Sequence, residues 1–269
     1  MLRLPAVAGR FYPSHPAELT ELIHKYVITD PGNPPARVTA CLVPHAGYVY
    51  SGHVAGAVLA RIALPGKIII LGVRHYPRGE PAAILSSGAW RTPLGDARVD
   101  ESLAEALKRA CPQLREDSVA HSAEHSLEVQ LPFLQALAPD FTFVPVALGT
   151  VQFESLVSVG EGIARVLETS KENVLLLTTS DLNHYEDDAT TRIKDRKAIE
   201  ELLALHPRGL YDTCRNHEIS MCGLGPATAM LTTLNALGVK KSELVKYATS
   251  ADVSGDRSAV VGYAGMIFS

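Results

Sequence analysis

The sequence predicts an α/β fold in which a central, mostly parallel or mixed sheet is flanked by helices, with residues 1–269 forming a single domain. Short apolar, β-branched runs alternate along the chain with segments of helical period, as they do in βαβ units. The longest obvious apolar run, Ile68 to Val73, has the length of a strand. Hydrophobic residues make up 46% and charged residues 20%, a balance that can bury a sizeable core.

Seven runs have the composition of buried strands. They cover residues 38–43, 67–73, 82–86, 141–148, 174–179, 244–249 and 259–267. Six segments between or beside them carry apolar residues at helical spacing, beginning at Leu19, Leu103, Leu127, Leu156, Ile199 and Ala227. The first helix is expected to start near Ser14, with Pro16 in its first turn. Pro132 lies in the third, so we expect that helix to kink there or to begin later than its apolar pattern.

Charge and cysteine content exclude several classes of protein. A net charge of −4 and a pI near 6.2, without a dense Lys/Arg stripe, argue against a nucleic-acid partner. The 4 cysteines are far apart and lack CxxC spacing, so neither a disulfide framework nor a zinc knuckle is expected. The first residues lack a signal-peptide core, and no apolar run approaches a membrane span. We therefore expect a soluble protein of the cytoplasm.

Histidines follow three of the predicted strands. His45 lies in segment 44–48 after the first strand, His75 follows the second, and His184 lies in segment 180–185 after the fifth. Ligands of open α/β sheets bind beyond the carboxyl ends of the strands. One histidine in such a place is usually a satisfied polar residue, but three that meet at one edge predict a pocket, and imidazole is a common ligand of iron, zinc and copper.

Two further residues near these strand ends have two interpretations each. Asp181 could orient an imidazole or act as a general base, but it also fits a helix N-cap or a turn. Cys222 precedes a helix, where a thiol could be a ligand or a nucleophile, although a small buried residue is the more common role.

Segment 121–128 contains His121, Glu124 and His125 in the HxxEH spacing of inverted zinc peptidases. On a helix, the two histidines would share a face and Glu124 would be the base. The pattern is short and no distal third ligand accompanies it. We expect Glu124 and His125 instead to line the same pocket as the strand-end histidines.

Segment 47–52 has glycines in the spacing of a phosphate loop. His53 and Val54 occupy the positions where that motif requires Lys and Ser or Thr. We therefore reject nucleotide binding by this loop and expect Gly47 and Gly52 to allow a tight turn after the first strand.

Together these residues resemble the MEMO family over essentially the whole chain. Each matching segment is weak alone, but their shared order and spacing are specific. The matching residues are Ala8 to Pro13, Pro44 to Tyr48 with Tyr50 to Gly52, Glu124 to Glu128 with Leu131 and Pro132, Ser180 and Asp181 with His184 and Tyr185, and Cys222 with Gly223.

The resemblance implies a fold similar to the class III extradiol dioxygenases, non-haem iron enzymes that open catechol rings. In those enzymes two histidines and a carboxylate hold Fe(II). By this resemblance, His45 and His75 are the metal ligands, and His184 with Asp181 is the acid/base pair of the pocket. We place His125 with the catalytic residues. Fe(II) is the expected cofactor, with copper or zinc as alternatives.

One departure from the family leaves the third ligand open. Eukaryotic members supply a cysteine from the segment that matches 247–253, and Val253 stands at that position here. Asp252, Cys222 and Glu124 are the candidates to replace it, because a carboxylate or a thiolate suits iron. The alternative is a site that binds metal weakly or not at all.

Two functions are therefore open at this point. The first is a metal-binding, oxidoreductase-like protein that acts on an unknown small substrate, with His184 moving protons. The second is a non-catalytic module that binds a peptide or small ligand in a dioxygenase-like cleft. The resemblance also implies AMMECR1-like and radical SAM proteins as partners, because prokaryotic relatives tend to be encoded beside them.

Overall fold

The computed structural model describes residues 1–30, 32, 34–149 and 152–269. Over these residues twelve strands form one sheet with helices on both faces. The strands are β1 (Leu2–Arg3), β2 (Ala40–Val43), β3 (Lys67–Val73), β4 (Ala82–Ile84), β5 (Ala89–Thr92), β6 (Gly95–Val99), β7 (Arg115–Glu116), β8 (Thr142–Leu148), β9 (Val174–Thr179), β10 (His184–Glu186), β11 (Ser242–Thr249) and β12 (Val260–Phe268).

The helices lie between these strands along the chain. They are α1 (Pro16–Tyr26), α2 (Tyr48–Leu59), α3 (Glu101–Ala110), α4 (Ser118–His121), α5 (Leu131–Leu137), α6 (Phe153–Thr169), α7 (Asp188–Leu203), α8 (Pro207–Asn216), α9 (Leu224–Ala236) and α10 (Ala251–Ser254), and a 3-10 turn, Glu128–Gln130, precedes α5. The mixed α/β architecture is the one that the sequence predicts.

The centre of the sheet is parallel and buried. Strands β8, β3, β9 and β2 are neighbours in that order and run parallel, and nearly every residue in them is buried. Alternate side chains of β3 enter two different apolar layers: Ile69 and Leu71 face α6 and α9, whereas Ile68 and Ile70 face the side of α1 and α5. Burial on both faces explains why these strands are continuous apolar runs.

Antiparallel strands extend the sheet on both sides of this centre. Strand β12 pairs antiparallel with β2, and both β10 and β11 pair antiparallel with β12. On the other side, β5 and β6 form a hairpin that the sequence patterns did not predict. The sheet is therefore mixed, with a parallel core.

Helix α2 replaces the tight turn that the sequence predicts at Gly47 and Gly52. Residue Gly47 precedes the helix with φ −56°, and Gly52 lies within it, so neither makes a tight turn. A Cβ on Gly52 would lie 2.6 Å from the Tyr26 ring, and one on Gly56 would lie 2.5 Å from the Tyr26 carbonyl oxygen. These glycines let α1 and α2 approach closely, a contact between distant segments that a local pattern does not reveal.

The third predicted helix also begins later than its apolar pattern. Helix α5 begins at Leu131, so Pro132 stands in its first turn, where a missing N–H costs nothing. The residues before it form the 3-10 turn. Of the two expectations for Pro132, the later helix start is the correct one.

Three central strands end at one edge of the sheet. The chain leaves β2 at His45, β3 at His75 and β9 at Asp181, within two residues of each strand's end. Because β3, β9 and β2 are adjacent and parallel, their carboxyl ends bring these residues to the same place. Among the described residues, none of the helices combines the length and the apolar character that crossing a bilayer requires.

Candidate metal centre

His45 is buried two residues after β2, and both its ring and its backbone make hydrogen-bond contacts with the residues around it. Its Nδ1 lies 2.8 Å from Thr179 Oγ1, and its backbone N–H donates to Asp181 Oδ1 at 2.8 Å. The Gln130 amide donates to Thr179 Oγ1 and to the carbonyl of Pro44. With Nδ1 on Thr179, the remaining ring nitrogen is Nε2, and Cys222 Sγ lies 3.1 Å from it.

His75 follows β3 and is oriented by Glu124. The Glu124 carboxylate accepts a hydrogen bond from the His75 backbone N–H at 2.7 Å and lies 2.9 Å from its Nδ1. A carboxylate can only accept, so Nδ1 carries the proton and Nε2 keeps its lone pair. This is the arrangement that commonly orients a metal-binding histidine.

His125 reaches the same place from the loop after α4. Its ring stacks on His75 with centroids 4.5 Å apart and meets His45 edge-on at 5.6 Å. The loop lies against β3: Ser126 Oγ accepts the Val73 N–H, and a Cβ on Gly72 would lie 2.6 Å from Leu127. Phe11 covers the other side, with its ring centroid 4.8 Å from that of His125.

The three imidazoles lie close enough together that they could hold one metal ion. One nitrogen from each of His45, His75 and His125 lies within 4.8 Å of the others. Their chemistry fits a transition metal, because neutral imidazole is a good ligand for zinc, copper, iron and nickel. The third histidine of this group is His125, whereas the sequence left the third ligand to Asp252, Cys222 or Glu124.

Burial keeps these groups in the forms that ligation requires. It lowers the pKa of His45 well below its ordinary value, and the neighbouring His75 adds to this. Burial and the His45 ring lower the pKa of His125 to about 4. Burial alone would raise the pKa of Glu124, but hydrogen bonds from His75 and Ser126 outweigh it and bring the pKa to about 2. Two neutral imidazoles thus lie beside an ionised carboxylate.

Asp181 and His184 lie near the three histidines. Burial raises the pKa of Asp181, although the His45 N–H and the nearby His184 and His125 oppose this. His184 is more exposed, and its Nδ1 donates to the Ser220 carbonyl oxygen at 2.9 Å, which leaves Nε2 as a proton acceptor. The structure therefore brings the sequence-predicted acid/base pair close to the imidazoles.

Cys222 contacts the cluster but lies outside the donor set. Its sulfur is 3.1 Å from His45 Nε2 and accepts the Asp181 N–H at 3.3 Å. Burial raises the pKa of this thiol far above its ordinary value. Cys222 therefore neighbours His45 but is not part of the group of three histidines.

Asp252 is not brought to the site, which corrects its candidacy as third ligand. Its Oδ1 accepts from Arg192 at 2.9 Å and its Oδ2 accepts the Thr249 N–H at 2.8 Å. One oxygen is thus occupied by Arg192 of α7 and the other by the turn that begins α10. Val253, at the family's cysteine position, is 45% exposed and supplies no ligating atom.

His121 also lies apart, so HxxEH is not a zinc-peptidase helix here. Helix α4 ends at His121, and Glu124 and His125 follow in a loop. The His121 ring is buried 5.7 Å from Trp90, and neither ring nitrogen has a hydrogen-bond partner in the described chain. Burial lowers its pKa to about 4.

Sequence reasoning missed Thr179, Gln130 and the site role of Phe11. Thr179 ends β9 immediately before Ser180 and Asp181, so its place beside the site was available from the strand pattern. Gln130 lies in the 3-10 turn, and Phe11 reaches the site because the N-terminal segment is anchored on Glu128. Neither contact leaves a local signal in the sequence.

The fold and this site define a class: a mixed α/β protein with a buried cluster of three histidines at the carboxyl edge of its sheet. Comparison with known families is more specific. The profile of the Memo-like protein family matches residues 3–267. The chain therefore belongs to the MEMO family.

Relatives of similar length support this membership. The chain is 41% identical to a MEMO1 family protein of Methanopyrus kandleri, over 100% of this chain and 99% of the relative. It is 41% identical to one of Thermotoga neapolitana over 100% of both chains, and 40% identical to one of Methanocaldococcus jannaschii over 99% and 98%. Among solved structures, an uncharacterized protein of Escherichia coli K12 has the same fold with a TM-score of 0.59 and 12% identity, over 86% of this chain and 100% of that chain.

Proposed function

We propose that this protein binds a transition-metal ion, Fe(II), through His45, His75 and His125 and performs oxidoreductase-like chemistry on a small substrate. The observation that carries the proposal is the approach of one nitrogen from each of these histidines to within 4.8 Å of the others. The donor set fits copper and zinc as well, so the choice of metal belongs to the test.

The residues around the donor set have distinct parts in this proposal. Glu124 holds the His75 ring through Nδ1, so Nε2 of that ring would be the nitrogen that binds an ion, and His125 Nδ1 lies 3.8 Å from the same carboxylate. His184 accepts a proton at Nε2, because its Nδ1–H is fixed on Ser220. Asp181 holds the His45 backbone in place through Oδ1. A bound ion would supply open positions for a substrate or for dioxygen.

Anaerobic loading of the untagged protein with Fe(II), Cu(II) or Zn(II), followed by counting of bound metal, tests the proposal. We expect one ion per chain in the wild type and loss of binding in His45→Ala and His125→Ala. Glu124→Gln should weaken binding by about 10- to 100-fold, because it removes the charge that orients His75. His206→Ala, at an exposed histidine away from the cluster, is the control.

Equal and negligible metal content in the wild type and His45→Ala would overturn the proposal. Tight binding of zinc or copper with no retention of Fe(II) would reject the iron assignment alone. Metal-dependent uptake of dioxygen would support oxidoreductase-like chemistry.

Exposed aromatic residues beside the histidines favour a second candidate, a module that binds a peptide or small ligand. Tyr185 is 80% exposed and Tyr76 is 44% exposed, each next in sequence to a site histidine. A partner that binds His45→Ala and His75→Ala as strongly as the wild type would support this function. From the family resemblance we further propose a cytoplasmic location and association with AMMECR1-like and radical SAM proteins.

A further inference from the structure

Gln130 is a buried glutamine that uses only half of its amide group. Its side chain is 1% exposed. The nitrogen Nε2 donates to the Pro44 carbonyl oxygen at 2.9 Å and to Thr179 Oγ1 at 3.2 Å. The oxygen Oε1 is buried as well and has no hydrogen-bond partner among the residues that the structure describes. An unpaired buried polar atom destabilises the folded chain, so the presence of glutamine here needs a reason other than packing.

The two acceptors fix which way the amide faces. The Pro44 carbonyl oxygen can only accept, so the amide atom 2.9 Å from it must be the nitrogen. The reversed amide would place Oε1 against that carbonyl oxygen, and two acceptors at this distance repel each other. Gln130 therefore donates one N–H to Pro44 and the other to Thr179.

Thr179 extends this contact to the His45 ring. Its side chain is fully buried at the end of β9, and its Oγ1 lies 2.8 Å from His45 Nδ1. A hydroxyl oxygen has two lone pairs, so it can accept the Gln130 N–H and a His45 Nδ1–H together. When Nδ1 donates in this way, Nε2 keeps the lone pair that a metal ion requires. Because Pro44 adjoins His45 in the chain, Gln130 holds both the ring and the backbone of this histidine.

Gln130 also belongs to the segment that carries another histidine of the cluster. It is the last residue of the 3-10 turn Glu128–Gln130, and the Val129 N–H in that turn donates to the His125 carbonyl oxygen at 3.0 Å. The His45 and His125 rings lie with their centroids 5.6 Å apart. The Gln130 side chain therefore joins the segment of His125 to the segment of His45.

We propose that Gln130 is a positioning residue of the metal centre. Through Thr179 and Pro44 it fixes the direction of the His45 ring and the distance of that ring from His125. This inference rests on the proposed function, because these quantities control ligation only if an ion binds there. Partners of this kind commonly orient metal-binding histidines, and loss of one typically lowers metal affinity by about 10- to 100-fold.

Competition titration with a chromophoric chelator, which measures zinc affinity, tests the proposal with a redox-silent metal. Gln130→Met keeps the length of the side chain and removes its N–H groups, and Thr179→Val keeps the shape of threonine and removes its hydroxyl. Both variants should bind zinc at least about 10-fold more weakly than the wild type. Thr179→Ser, which restores the hydroxyl, should bind zinc nearly as tightly as the wild type. Thr179→Val alone carries the test if Gln130→Met does not fold.

Gln135→Met and Thr92→Val are matched controls outside the cluster. The Gln135 amide donates to the Gly95 carbonyl oxygen at 3.1 Å and accepts from the Thr92 hydroxyl, so it too joins a carbonyl and a threonine. These contacts lie in the hairpin of β5 and β6. The controls should lower the unfolding temperature of the metal-free protein and leave its zinc affinity unchanged.

The absorption spectrum of the Co(II)-loaded protein provides a second readout, because it reports the geometry of the ligands around the ion. At saturating cobalt, the bands of Gln130→Met should shift from those of the wild type. The bands of Gln135→Met should stay in place. A residue that only stabilised the fold would not move them.

Equal zinc affinity and equal cobalt spectra in the wild type and Gln130→Met would overturn the proposal. So would an equal loss of zinc affinity in Gln135→Met, because any loss of stability would then produce it. Failure of the wild type to bind zinc, cobalt, iron or copper is a different result and refutes the proposed function.

Discussion

One buried carboxylate outside the histidine cluster fixes the loop that carries Asp181 and His184. Asp195 of α7 is fully buried, and its carboxylate accepts the Asn183 N–H at 2.8 Å and the Tyr247 hydroxyl at 2.7 Å. Asn183 lies between Asp181 and His184 in the chain, so this one carboxylate fixes the loop that carries both. A Cβ at position 262 would collide with it, which requires glycine there.

Asp195 gives a prediction for the pH dependence of stability. Burial raises its pKa to about 7, against the opposing effects of Tyr247, Asn183 and Arg192. The folded chain therefore holds the proton more tightly than the unfolded chain does. The stabilisation from this group is complete below about pH 4 and is lost as the pH rises to about 7, by roughly 1.4 kcal/mol per pH unit.

Urea unfolding of the wild type and Asp195→Asn between pH 4 and 8 measures this. As the pH rises towards 7, the free energy of unfolding of the wild type should fall relative to that of Asp195→Asn. Above pH 7 the difference between the two should level off. Asp140→Asn, at an exposed position, is the control and should keep the wild-type slope. Parallel curves for the wild type and Asp195→Asn would contradict the prediction.

At the scale of elements, the buried parallel strands were the most predictable. Strands β3 and β9 have the bounds that their apolar runs predict, because burial on both faces removes polar residues from them. Helix α2 was missed for the opposite reason. Its glycines look like turn residues locally, and only the packing against α1 explains them.

Gly56→Ala tests this account of α2. Alanine is the better helix former, so an isolated helix would gain stability. Here the new Cβ would lie 2.5 Å from the Tyr26 carbonyl oxygen, and we expect the protein to lose about 1–3 kcal/mol or more in its free energy of unfolding. Gly66→Ala, where nothing lies within 4 Å of the new Cβ, is the control and should change little. A stabilised Gly56→Ala would refute the close packing of α1 and α2.

At the scale of the whole molecule, the N-terminal segment is bound across the sheet to the loop of the histidine cluster. Glu128, which is fully buried, accepts from Arg3 and Tyr12 at 2.6 Å each and from the Ala6 and Val7 N–H groups at 2.8 and 3.0 Å. The anchored segment then places Phe11 on His125. Residues more than a hundred positions apart thus form one wall of the site.

Glu128→Gln should therefore be strongly destabilising. It leaves the Arg3 guanidinium buried without its counter-ion, a loss of about 3–5 kcal/mol in chemical unfolding. Glu243→Gln removes the partner of Arg61 in a pair that solvent reaches, and it should cost about 1 kcal/mol or less. Similar small losses for both variants would show that the buried pair does not anchor the segment.

The sequence by itself determined the fold class, the central strands and the family, because burial and the ordered family segments both leave patterns along the chain. It also identified His45, His75, His125, Asp181 and His184 as residues near one edge of the sheet. Only the tertiary structure decided which of them form a donor set, placing His125 with His45 and His75 and leaving Asp252 on Arg192. The physical reason is that ligation requires atoms within a few ångströms, and that distance depends on how loops remote in sequence pack together.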